Sequence, residues 1–569
     1  MQSQSMNFND KASKLLSEYE SDCQNDDEMG DKSHDYLMKF YEILGEYIAE
    51  ETFIKLEELR YECTSEQEAY ELEKDIKELH VHLAVGEYSG VSGTLSERLG
   101  NINIVIENIV FPNDDNLNSL GSEIREILWR LGKIEFLNCK FNCNYFRINN
   151  NTYFTDCNFE DSLFIEPFSR NKFNDIYRYS NCTFDKEVYV MPSNENKEVL
   201  CNLFYECNFL SNLIVRNLEF RKNIFMFPDP VKLFDSWDVN TNESVVNNSF
   251  KKIKKHHGFK KIIISNCIFD IDFKLNGFDD DYFKELKKYK CKYELNDMII
   301  DELEIIDTKF ESKLEIKNRS INNFSFKNSN VSGIFDAFES EFQKAYFFKS
   351  IFKDFAAFEK VKFSNGLEVN KTVFKYTTFK DFSNFRDTKF LSGLDLSTVN
   401  LKQEPNFFNT LINNKRTDRE TFRIIKNSFE KNNNKIEAGK YHANEMKAYI
   451  RELSFCKDFW QLSILHINNL ISRFGQSYII PFALLLGFIA LYSYLLDSYQ
   501  EVLQFRTHEM QYGLEAITEW LNTSARNFLP FAKFISDKKG FEFVSLFFYI
   551  VFAILVWQII VAVKKQTQH

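Results

Sequence analysis

The residues in this sequence best suited to chemistry are its cysteines, five of which recur in one short pattern. Cys139 and Phe141 stand in "LNCKF", Cys157 and Phe159 in "TDCNF", Cys182 and Phe184 in "SNCTF", Cys207 and Phe209 in "YECNF", and Cys267 and Phe269 in "SNCIF". Recurring cysteines serve metal ligation, disulfide bonding or burial of a small side chain at a repeated place. A compact zinc site takes paired cysteines a few residues apart, whereas successive members of this set lie 18 to 60 residues apart. Disulfides are rare in reducing compartments. The opening "MQSQSMNFNDKASKLLSEYE" has neither the basic start nor the apolar run of a secretory signal. The cysteine count is odd, at eleven. Structural, reduced and metal-free cysteines are the favoured expectation.

Other chemistry finds less support. His80 and His82 fall in a predicted helix, where i and i+2 point to different faces. His442 and Glu445 share a helix face, but no HExxH pattern is present. The sequence holds no P-loop, nucleophile elbow, dinucleotide fingerprint or zinc motif. We expect no enzyme and no cofactor, and assign no catalytic, cofactor-binding or metal-binding residue. The net charge of −13 argues against a nucleic-acid partner. The one basic run, Lys251 to Lys261, reads as a solvated insertion, with anionic lipid or phosphate as the alternative.

The elements that place the cysteines announce themselves through phenylalanine, present 60 times against 18 Gly and 8 Pro. Phe342, Phe347, Phe352, Phe358 and Phe363 step by five, five, six and five; Phe374, Phe379, Phe385 and Phe390 step by five, six and five. Neither a 3.6-residue helix nor a two-residue alternation gives that beat. Two residues before these positions stand Ser340, Ala345, Ser350, Ala356, Thr372, Thr377, Ser383 and Thr388, all small, with Val361 the exception. Residues i−2 and i of an extended segment share a face. Inside a narrow stack each side must then hold one bulky and one small group. Cysteine suits the small place, being often fully buried.

This pattern resembles the pentapeptide-repeat family, with a central Leu or Phe and a small residue two before it. The resemblance runs from about Ile134 to Leu396, with breaks, and is sharpest in "AYFFKSIFKDFAAFEKVKF" and "KTVFKYTTFKDFSNFRDTKF". It implies a mainly β fold, a right-handed quadrilateral β-helix with four pentads per coil and no catalytic residue in the coil. Phe replaces most central Leu, some steps are six, and insertions such as "PDPVKLFDSWDVNTNESVVNNS" interrupt the run.

Four regions are expected: a helical acidic segment over 1–100, the interrupted repeat over 101–400, a helical connector over 401–476 and a membrane domain over 477–569. In the first, Leu37, Phe40, Tyr41, Leu44, Tyr47 and Ile48 recur at helical spacing. In the connector, Thr417 or Asp418 caps a helix that breaks at "KNNNK". Residues 477–496 and 543–563 are each uncharged and about 20 residues long, the length that crosses a bilayer. Arg473 before the first span, Lys564-Lys565 after the second and the missing export signal put both flanks, and the repeat, in the cytoplasm. The loop 497–540 then faces outward. The sequence is similar to bacterial pentapeptide-repeat proteins with two C-terminal membrane helices, which implies a multi-pass protein of the bacterial plasma (inner) membrane.

Function is expected to be that of a membrane-anchored cytoplasmic interaction or sensing module with a protein partner. The alternative is a pore-forming or membrane-perturbing effector in stress or phage defence, built from several copies. Polar groups at membrane depth face protein or water. Gln558 in the second span and Asn527 and Pro530 in the loop are the candidates for a pore lining or for helix pairing.

Overall fold

The computed structural model describes residues 8–23, 29–85, 91–111, 130–142, 152–165, 177–192, 197–226, 259–277, 299–364, 371–505, 518, 521–522 and 540–567. The chain divides into two compact units, one of residues 1–392, 398–403 and 408–411, the other of 393–397, 404–407 and 412–569.

The first unit opens with helices α1 (Phe8–Cys23), α2 (Met29–Leu59), α3 (Glu66–Val85) and α4 (Gly93–Leu99). Tyr36, Phe40, Leu44 and Ile48, four apart, form the buried stripe of α2. Phe40 meets Phe111 edge-on at 5.6 Å, and the Tyr47 hydroxyl donates to the Val105 carbonyl at 3.2 Å. Strand Asn103–Glu107 and Phe111 belong to the first layer of the β stack, so this helix covers an edge that would otherwise be open to pairing. Arg98 Nε donates to buried Asp75 at 2.8 Å and ties α4 to α3.

The rest of the unit is built from parallel strands in stacked sheets. Lys309–Phe310 pairs with Asn330–Val331, which pairs with Ile351–Phe352, then Thr378–Phe379, then Asn400–Leu401. Successive partners are 21, 21, 27 and 22 residues apart, so one layer is normally 21 residues. The Phe beat now has a cause: steps of five, five, six and five add to one layer. The same frame runs through Ile300, Ile305, Phe310, Ile316, Ile321, Phe326, Val331 and Ala337, all buried. There isoleucine, valine and alanine replace phenylalanine at all positions but Phe310 and Phe326, so the repeat is regular from Ile300 although its phenylalanines are not. The strands continue to Leu411–Ile412, beyond the expected end at 400.

Layers are joined by stacked rings. Phe111, Phe141, Phe159, Phe184 and Phe209 form a column with centroid spacings of 4.5, 4.8, 5.0 and 5.0 Å. Phe347 on Phe374, Phe352 on Phe379, Phe358 on Phe385 and Phe363 on Phe390 lie 4.3–5.0 Å apart. The strand spacing of about 4.8 Å sets that distance, and each pair adds about 0.5–1.5 kcal/mol beyond its burial.

In the second unit, α5 (Arg419–Lys431) and α6 (Lys435–Glu452) pack through Phe422, Phe429 and Tyr441. Asp418 caps α5, its carboxylate accepting the Thr421 N–H at 2.8 Å. Thr417 and Thr421 hydroxyls accept the Leu394 and Leu396 N–H groups at 3.1 and 2.9 Å. Helices α7 (Phe459–Ser472), α8 (Ile479–Phe505) and α9 (Glu542–Thr567) complete the unit.

Candidate functional site

All ten cysteines and phenylalanines of the five-fold pattern are buried, from Cys139 and Phe141 to Cys267 and Phe269. So are Phe347, Phe352, Phe358, Phe363, Phe374, Phe379, Phe385 and Phe390. The structure gives the small position a second requirement besides size. The residue before each of the five cysteines, namely Asn138, Asp156, Asn181, Glu206 and Asn266, has a left-handed backbone. So do Asp307, Asn328, Glu339, Lys349, Tyr376 and Asp387, each before a serine or threonine. At such a corner the next N–H turns inward and needs an acceptor. The Thr308 N–H donates to Ser329 Oγ at 3.1 Å, and Ser329 Oγ donates to the Lys327 carbonyl at 2.7 Å. Cysteine thiols copy the outgoing bond: Cys157 Sγ lies 3.3 Å from the Thr155 carbonyl and Cys267 Sγ 3.3 Å from that of Ser265. Ala345 and Ala356 follow no left-handed residue and carry no such bond. The sequence held this signal as Asn or Asp before cysteine.

These thiols are poor nucleophiles. Burial pushes Cys182 well above its ordinary pKa and Cys267 up to about 12. Among the described residues no group of three or more His, Cys, Asp and Glu is placed to hold a metal ion. His80 stacks on Phe53 at 4.0 Å, while His82 lies 3.8 Å from Glu78. Residues 251–258 of the basic run lie outside the described residues. Its end is not a solvated loop: Phe259 is buried in a strand, and Lys261 pairs with Glu302 at 2.9 Å.

The polar groups of the tail converge instead on two places. Tyr492 on α8 donates to Ser545 on α9 at 2.9 Å, both buried. The second place is the turn between α7 and α8, where Arg473, Phe474 and Gly475 all have positive φ, at 50°, 61° and 79°. A left-handed backbone costs a non-glycine residue about 1–2 kcal/mol, so other contacts must hold the turn. Ser472 Oγ donates to Gln558 Oε1 at 2.9 Å, Lys565 Nζ donates to the Phe474 carbonyl at 3.2 Å, and Gln566 Nε2 donates to that of Gln476 at 2.9 Å. A Cβ on Gly475 would sit 3.1 Å from Lys565 Cδ, and one on Gly439 of α6 would sit 3.2 Å from Gln476 Nε2. The end of α9 and the face of α6 therefore both close on this turn. Nearby, Glu445 on α6 accepts from Lys426 at 3.0 Å and Arg423 at 3.4 Å. Burial alone would raise its carboxyl, but those cations outweigh it and hold the pKa below the ordinary value.

No family model, curated protein or solved structure matches this chain. Two of its helices, Ile479–Leu496 and Glu542–Thr567, are long and apolar enough to cross a membrane. The second begins on a remote cap, since Asn522 accepts the Phe543 N–H at 2.9 Å and donates to the Gly540 carbonyl at 3.0 Å. Asn527 and Pro530 lie outside the described residues. Gln558, the third candidate, is engaged by Ser472. Pairing over 86 residues had no local signal.

Proposed function

We propose that this chain is a membrane-anchored interaction or sensing module. Its repeat is a right-handed quadrilateral β-helix of the pentapeptide-repeat type, facing the cytoplasm of a bacterial inner membrane. Four in-facing positions per 21-residue layer and uniformly parallel register support four sides per coil. Repeat stacks offer extended faces to partners. One such face is a groove lined by Glu339, Glu341, Lys360, Lys362, Asp387 and Lys389.

The observation that carries the anchor reading is the use of the polar side chains in the tail. Gln558, Tyr492 and Ser545 are spent on bonds between helices, where a conducting route would need them turned to water. The clamp at Arg473–Gln476 joins the connector to both spans and gives the anchor a means of passing strain. An exchange of residues 477–569 for an unrelated two-span anchor tests this. The same protein should co-purify, while any response that depends on the clamp is lost. Loss of the partner together with the tail would defeat the reading.

A further inference from the structure

Helix α7 exposes an apolar face. Trp460, Ile464 and Ile467 recur four and three apart, with Phe459 and Leu470 beside them, and their exposures run from 45% to 78%. At 100° per residue these five occupy one arc of about 140°. Leu462 and Leu465 turn the other way and are half-buried. Six residues, 473–478, separate this helix from the first apolar span. The clamp at Arg473–Gln476 fixes that short link, so α7 ends where the chain enters the bilayer. Lys457 before it and Arg473 after it supply cations at its two ends.

We infer that α7 lies in the plane of the membrane interface, its Trp460–Ile464–Ile467 face sunk among lipid headgroups and upper acyl chains. The inference rests on the proposal that α8 and α9 span a bilayer. A 14-residue helix with one apolar arc suits the interface and is too short to cross. Tryptophan favours that depth because its ring is apolar while its N–H keeps a polar partner. Continuity with a membrane span selects lipid over a soluble protein, since the link leaves no room for an intervening domain. The face would act as an outrigger: it fixes the rotation of the connector about the membrane normal, which two spans alone leave to their own packing.

The test uses the full chain in lipid nanodiscs, with Cys456 and any other fast-labelling thiol replaced by serine. An environment-sensitive fluorophore is placed in turn at Ile467→Cys, at Gln461→Cys on the opposite arc and at Ile554→Cys in the second span. Shallow and deep nitroxide-labelled phospholipids and aqueous iodide are the quenchers. The inference predicts a blue shift at Ile467 with strong quenching by the shallow lipid and little by iodide, and the reverse at Gln461. Equal iodide quenching at 461 and 467 overturns it. Protection at 467 from both lipid and iodide also overturns it, and assigns the face to a second copy or a protein partner. Deep-lipid quenching at Ile554 reports separately on the span: its absence defeats the anchor, whatever is found at 467.

Discussion

Removing one hydroxyl at a left-handed corner should open the stack locally. Ser329 is fully buried; its Oγ accepts the Thr308 N–H at 3.1 Å and donates to the Lys327 carbonyl at 2.7 Å. In Ser329→Ala the carbonyl keeps a partner, because the Asp307 N–H also donates to it at 3.0 Å. The Thr308 N–H loses its acceptor in a site closed to water. A buried donor left unsatisfied costs about 1–3 kcal/mol, equivalent to roughly 5- to 150-fold in the local opening equilibrium. Hydrogen exchange at the Thr308 amide, in detergent-solubilised full chain, should accelerate by that factor. Ser329→Cys should accelerate it less, since thiols occupy this place in the earlier layers. Ser332→Ala, which loses only exposed bonds to Glu311 and from Lys353, should stay within about 0.5 kcal/mol of the parent. Unchanged exchange at Thr308 in Ser329→Ala would refute the corner argument and leave size as the only reason for small residues there.

Phe347→Asp and Phe379→Asp each place a charge in a fully enclosed column, a cost of roughly several kcal/mol; limited proteolysis should cut both variants rapidly and spare Lys380→Asp. Cys139, Cys157, Cys182, Cys207 and Cys267 should stay unmodified by thiol reagents in the native protein at pH 8, while exposed Cys456 reacts at once. Mass spectrometry of labelled peptides decides it. Glu445, whose pKa is lowered in the fold, stabilises the α5–α6 pair above its ordinary value of 4.5, and that contribution is lost as pH falls through the lowered value. Exchange in α6 should therefore accelerate on acidification, and Glu445→Gln should flatten that dependence. A reporter active only in the cytoplasm, fused after residue 569, should be active, and Lys349→Cys should resist impermeant labels in intact cells.

The phenylalanine beat carried the core because bulky side chains make a five- and six-residue rhythm visible. The layers at Ile300–Ala337 follow the same rhythm with smaller aliphatic residues, and a search for Phe passes over them. The hydroxyl and thiol bonds were hidden for a different reason. They depend on the backbone hand of the preceding residue, which Asn138, Asp156, Asn181 and Asn266 advertise but Glu339 and Lys349 do not. Helical spacing and capping residues were enough for α2, α5 and α6, whose signals are local. The clamp on Arg473–Gln476 was not legible. Ser472 and Gln558 are far apart in the chain, and nothing short-range in either segment names the other.

Ion flux through the tail is the most direct test of the anchor. Purified full-length chain, reconstituted into liposomes with a potassium gradient and a potential-sensitive dye, should pass no more current than empty vesicles. Gln558→Leu, which removes the acceptor that ties Ser472 to α9, should leave that baseline unchanged while raising exchange in the 473–476 turn. A flux that the parent chain supports and Gln558→Leu abolishes, at equal protein per vesicle, would contradict the anchor and make the tail a pore.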